Sequence, residues 1–252
     1  LNLRIESMKL TIITTGRNTH RNTIELKSIY SPSVAFHFHK KYNFFMNALI
    51  LLFYRIVTFF TRVPAKTRDL NTAVLTPLLH DYSTDKSGFI DNQSDFHGIP
   101  YGKGTLSANG CGPIALYNAL IQMNYDKLTL SSVIEFLEKK GATLYGKYGT
   151  SPYAINHFLK SKGFITKLYK GKSGIRLNKF SDKFEAFISL IYNDSGSLKK
   201  GLHFICTVKT SDCLFNTHNP FHTADSLYNA LKLCSNDEIL HVCTIGIKKN
   251  QT

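Results

Sequence analysis

Hydrophobic and polar positions fall into a regular order only from about Thr105 onward. The run "GPIALYNALIQM" places Ile114, Ala115, Ala119 and Leu120 at helical spacing, with Tyr117 and Ile121 beside them. Pro113 suits the first turn of that helix. In "TLSSVIEFLEKKG", Val133, Ile134, Phe136 and Leu137 supply the apolar positions. Ser132 and Glu135 predict a capping box there, and Gly141 the stop. "GTSPYAINHFLKSKG" repeats the grammar, with Ser151 as cap, Pro152 at the first position and Gly163 past the end. "FITKLYK" predicts a short strand, and "DKFEAFISLIYN" a further helix. The last third changes character. "GLHFICTVK" and "DCLFNTH" predict two strands of a hairpin, and "ILHVCTIGIKK" one more strand. Helices first and strands later predict an α+β domain over 105–252 with an antiparallel sheet in its C-terminal half.

The N-terminal part follows other rules. Residues 1–43 keep no period. "FFMNALILLFYRIVTFFTR" (44–62) is strongly apolar, with Arg55 in its middle. A helix of that length nearly spans a bilayer. A charge at its centre costs roughly 2.5–3.5 kcal/mol, which disfavours a stable span. Lys40 and Lys41 before it, and Arg62, Lys66 and Arg68 after it, suit a helix lying on a membrane surface. A helix packed on the domain is the equal alternative, and a weak or uncleaved signal segment a third. The chain begins with Leu1, so Met8 or Met46 is a possible true start, or the chain is a fragment. Residues 64–104, rich in Pro, Asp, Ser, Gly and Asn, are expected to be linker and approach loop. The expected division is thus a basic extension 1–68, a linker 69–104 and a domain 105–252.

The net charge of +14 over 252 residues invites a nucleic-acid reading. Its distribution argues against specific nucleic-acid binding. Residues 1–68 hold 11 Lys/Arg against 2 Asp/Glu, a net of +9; the remainder holds 20 against 15, a net of +5. Lys167, Lys170 and Lys172 read as a solvated face. Five cysteines without a C-x-x-C pair argue against a disulfide framework or a zinc finger. Reduced thiols set a cytoplasmic or membrane-associated expectation. No internal repeat, G-x-G-x-x-G or P-loop is present.

The chemistry concentrates at Cys111, between Gly110 and Gly112, where loop turns into helix. A thiol at a helix N-terminus meets the positive end of the macrodipole and unpaired N–H groups, and both favour the thiolate. The glycines are expected to keep the sulfur accessible, and the Cys111 N–H to help form an oxyanion hole. A small buried cysteine opening a core helix is the bland alternative. A thiolate nucleophile needs a base and an orienter. His20, His37 and His39 lie in the unpatterned N-terminus, and His157 inside a helix. His203 opens a strand, and the hairpin carries Asn219 of "NTHNP" back toward it. The expected arrangement puts the Asn219 side-chain oxygen on His203. Cys213, His218 and His222 form a weaker, zinc-binding alternative, disfavoured by Pro220 between the histidines.

Taken in order, "NGCGPIALYNAL", "TSPYAINHFLKSKGF", "LHFICTVK" and "NTHNP" resemble papain-like cysteine peptidases, nearest the bacteriocin-processing branch that cuts after double-glycine leaders. The resemblance covers about residues 105–249. It implies a papain-like fold with the nucleophile on a central helix, and a peptide or protein substrate. It implies Cys111 as nucleophile, His203 as base and Asn219 as third member, with no cofactor or metal. The 16-residue spacing from His203 to Asn219 fits such a hairpin. Two departures stand out. The branch usually has Asp where this chain has Asn219. It also places a Gln several residues before the cysteine as an oxyanion-hole donor. No Gln stands in that loop, where Thr105, Ser107 and Asn109 are the available substitutes. Superfamily members also perform acyl transfer or only bind peptides, so both remain alternatives to proteolysis.

Overall fold

The computed structural model describes residues 32–81, 88–125, 127–170, 174–192, 201–235 and 240–250. Expectations for His20 and Met8, and for the side chains of His37, His39, Lys40 and Lys41, lie outside the described residues. The chain divides into two units, residues 1–41 and 42–252, and not at the expected boundary of 68. Helix α1 (Pro32–Phe60) leads into α2 (Ala65–Asp81), where a linker was expected. The physical reason is burial: Ile50, Leu51, Tyr54, Val63 and Leu75 all belong to the main core. The apolar segment is therefore a wall of the domain rather than an appendage.

Next come a short ribbon, β1 (Pro100–Tyr101) with β2 (Gly104–Thr105), and a one-turn helix α3 (Leu106–Asn109). Helix α4 (Cys111–Gln122) follows, buried along almost its whole length. Helices α5 (Leu130–Lys140) and α6 (Pro152–Ser161) complete the helical half. The cap of α5 is Thr129, whose side chain accepts from Ser132 N, and not the expected Ser132–Glu135 box. Thr129 stands three residues before Ser132, so its oxygen reaches the orphan N–H that the first turn leaves open.

The second half is a six-stranded antiparallel sheet in the order β3-β8-β4-β5-β6-β7. Its strands are β3 (Ile165–Tyr169), β4 (Ala186–Tyr192), β5 (Leu202–Lys209), β6 (Phe215–His218), β7 (His222–Ala224) and β8 (Leu240–Lys248). Strand β4 occupies the place where a helix was expected. Every residue of it is buried, because both faces are covered. Ala186, Ile188 and Leu190 join the core that contains α4, α5 and α6. Phe187 and Ile191 face a second core built with α7 (Gly174–Ser181) and α8 (Leu227–Leu233). Chain order and sheet connectivity make this an α+β domain in which α4 packs on β4 and β5.

Candidate active site

Helix α4 begins at Cys111, and its thiol is buried, 8% exposed. The two glycines beside it have a packing reason where one of access was expected. A Cβ on Gly110 would lie 2.4 Å from the Leu106 carbonyl oxygen, and one on Gly112 would lie 2.5 Å from Thr150 Cβ. Only glycine lets α3 turn directly into α4 and lets the helix start press against Thr150.

Strand β5 brings His203 into the same cleft as the thiol, close enough for each group to shift the other's pKa. Burial alone raises the Cys111 pKa. The hydrogen bond and charge of His203, with backbone hydrogen bonds from Phe204 and Gly112, outweigh it and hold the thiol below its ordinary value. For His203 burial pulls downward. The hydrogen bond and charge of Cys111, with the Asn219 carbonyl, win and raise the ring above its ordinary value. Both shifts favour a thiolate–imidazolium pair.

The Asn219 expectation is corrected in its atoms. The Asn219 main-chain oxygen, not the side chain, lies 2.7 Å from His203 Nε2. A carbonyl can only accept, so Nε2 carries the proton and Nδ1 is the nitrogen left for the thiol. The Asn219 side chain instead clasps Gln93: its Oδ1 accepts from Gln93 N at 2.9 Å, and its Nδ2 donates to Gln93 Oε1 at 3.2 Å. Asn219 has φ of 64°. Asn tolerates that left-handed backbone better than most residues, and it turns the carbonyl toward His203 and the amide away.

Gln93 was missed because it stands eighteen residues upstream of Cys111, in a segment without periodicity. Three successive anchors hold its loop. Buried Asn118 of α4 bonds both the N–H and the C=O of Ile90 at 2.8 Å. His218 Nδ1 meets Asp91 Oδ1 at 2.6 Å while its ring stacks on Phe89 at 4.0 Å. Asn219 then clasps Gln93. The Gln93 Nε2 donates to Ser107 O at 2.8 Å, keeping its second N–H for another acceptor.

The other expected oxyanion residues have different occupations. Thr105 caps α3 by accepting from Ala108 N and shares a hydrogen bond with Ser107. Asn109 does line the cleft, though its amide nitrogen sits over Gly104. The cleft measures about 260 Å³ and contains Cys111, His203, Gln93 and Asn109, with Tyr54 of α1 as one wall. Lys147, Tyr148 and Thr150 line it from the loop after α5. That loop is strained, with Leu144 at φ 49° and Tyr145 at φ 59°. The end of α1 holds it there. Thr61 Oγ1 accepts from Leu144 N at 2.9 Å, Thr61 O accepts from Tyr145 N at 3.2 Å, and Thr58 bonds Thr143 at 2.7 Å.

The zinc alternative finds no support in the geometry. His218 is engaged with Asp91, Cys213 is exposed, and among the described residues no group of three His, Cys, Asp or Glu is placed to hold a metal. All five cysteines are free.

No family model matches the chain, and no curated protein matches it. Among solved structures, the chain is similar to the peptidase domain of Streptococcus ComA, a bi-functional ABC transporter involved in a quorum-sensing pathway. The identity is 17% and the TM-score 0.38, covering 56% of this chain and 91% of that one, a likeness too distant to bear on activity.

Proposed function

We propose that the protein is a thiol-dependent peptidase of papain-like fold, acting on a peptide or protein substrate without a cofactor. The observation that carries this reading is the buried Cys111–His203 pair at a helix start, with the thiol lowered and the imidazole raised. A structural cysteine has no need of such a partner; a nucleophile does.

In the proposed reaction the Cys111 sulfur attacks the scissile carbonyl carbon. The negative charge that forms on its oxygen is met by the Cys111 N–H and the remaining Gln93 Nε2–H. His203, protonated on Nδ1 by the thiol, passes that proton to the leaving amine as the C–N bond breaks. A thioester remains on Cys111. Neutral His203 then takes a proton from water, which attacks the thioester. The acid leaves and the thiol is restored. Throughout, the Asn219 carbonyl holds Nε2–H and fixes the ring orientation.

The test is incubation with a mixed peptide library, with new termini read by mass spectrometry. The wild-type chain is expected to generate them, and Cys111→Ala and His203→Ala to generate none while keeping the thermal transition. Identical termini from Cys111→Ala would contradict the reading.

A further inference from the structure

The described part of α1 has two faces of different fate. Ile50, Leu51 and Tyr54 point into the core. On the other side Leu49, Leu52, Ile56, Phe59 and Phe60 stand exposed, the last two at 64% and 75%. At 3.6 residues per turn these five fall within an arc roughly 100° wide, opposite the buried residues. So large an apolar stripe is costly to leave in water.

The charges that its own segment carries have one sign. Between residues 42 and 68 the chain has no Asp or Glu. Exposed Arg55 flanks the stripe and shares a surface groove with Leu52 and Phe59. Arg62 lies 5.5 Å over the Phe59 ring, and exposed Lys66 follows. A second copy docked by two-fold symmetry through this stripe would bring two sets of like-charged cations to one interface. An anionic lipid surface complements them.

We propose that the exposed stripe of α1 docks in the plane of an anionic bilayer surface, with its apolar side chains inserted and Arg55, Arg62 and Lys66 at the headgroups. In-plane docking also fits the opposite face, whose core contacts rule out surrounding the helix with lipid. No single helix among the described residues is long and apolar enough to cross a membrane. Tyr54, on the core side of α1, lines the cleft. The candidate site therefore lies about one helix diameter, some 10 Å, from the proposed lipid contact.

The test is co-sedimentation of the full chain with phosphatidylcholine vesicles, with and without phosphatidylglycerol. Association is expected with the anionic vesicles. Replacing Leu52, Ile56 and Phe59 together by Gln is expected to weaken it about tenfold or more without lowering the thermal transition, since all three are exposed. Arg55→Glu with Lys66→Glu is expected to erase the preference for anionic over neutral vesicles. The proposal is overturned by an absence of association, by undiminished binding of the triple-Gln variant, or by equal binding to neutral vesicles. It is also overturned by a dimer in sedimentation velocity that the same Gln substitutions dissolve.

Discussion

Asn219 meets His203 through its main chain, while its side chain is spent on Gln93. Removing the Asn219 side chain therefore leaves the imidazole contact in place and releases Gln93 from its nearest anchor. Glycine is the informative replacement, because alanine at φ 64° adds about 1–2 kcal/mol of backbone strain. Asn219→Gly and Gln93→Ala are each expected to lower kcat about 10²-fold, the usual scale for one oxyanion donor. The double variant should be no worse than either single one. An Asn219→Gly variant whose thiol pH profile shifts as far as that of His203→Ala would return the side chain to the imidazole.

Thr61 is expected to act on the cleft from a distance. Thr61→Val keeps the shape but leaves the Leu144 N–H without its acceptor. The cost is about 1–3 kcal/mol of stability, at a loop already strained at Leu144 and Tyr145. Because Lys147 to Thr150 line the cleft, KM should rise more than kcat falls, with an unchanged pH profile. A stability loss with unaltered KM would show that the loop is rigid without α1.

Much of this was legible in the sequence. The helices at Cys111, Leu130 and Pro152 and the strands at Ile165, Leu202 and Leu240 each follow a clear period or turn signal. Strand β4 was not, because a strand buried on both faces loses its alternation and reads like a helix segment. Helix α2 was hidden by polar composition and by Pro77 inside it. In the site, chain order brings Cys111, His203 and Asn219 together, but no pattern tells whether Asn219 presents its carbonyl or its amide. Gln93 was invisible because its three anchors, Asn118, His218 and Asn219, come from distant elements.

Truncation tests whether α1 belongs to the domain. A chain beginning at Tyr42 keeps the second unit whole and is expected to unfold cooperatively. A chain beginning at Asp69 lacks Ile50, Leu51, Tyr54 and Val63. Their burial contributes roughly 1.5–3 kcal/mol each, a sum comparable with the about 5–15 kcal/mol that holds a typical domain together. No cooperative transition is expected from it, and a normal one would show that α1 is an appendage.

Glu138 ties α2 to the domain. Only 1% exposed, its Oε1 accepts from Asn71 Nδ2 and from Gly102 N, both at 2.6 Å. Burial raises its pKa, against those hydrogen bonds. Protonation relieves the buried charge, so this group makes the fold more stable as pH falls through its raised value, until the unfolded carboxyl also protonates. Glu138→Ala should remove that part of the pH dependence. It should also cost about 2 kcal/mol or more at neutral pH by orphaning a buried donor. Unchanged stability in chemical denaturation would contradict the tie.

The most direct test is the pH dependence of Cys111 alkylation, resolved from the other thiols by peptide mass spectrometry. Cys206 and Cys243, which burial pushes up, Cys243 to about 12, serve as unreactive internal controls in the folded chain. Cys111 is expected to react with a midpoint below the ordinary thiol value. His203→Ala should raise that midpoint, because burial is then opposed only by the backbone hydrogen bonds of Phe204 and Gly112. A Cys111 as inert as Cys206, or a midpoint unmoved by His203→Ala, would contradict the thiolate–imidazolium pair on which the proposed activity depends.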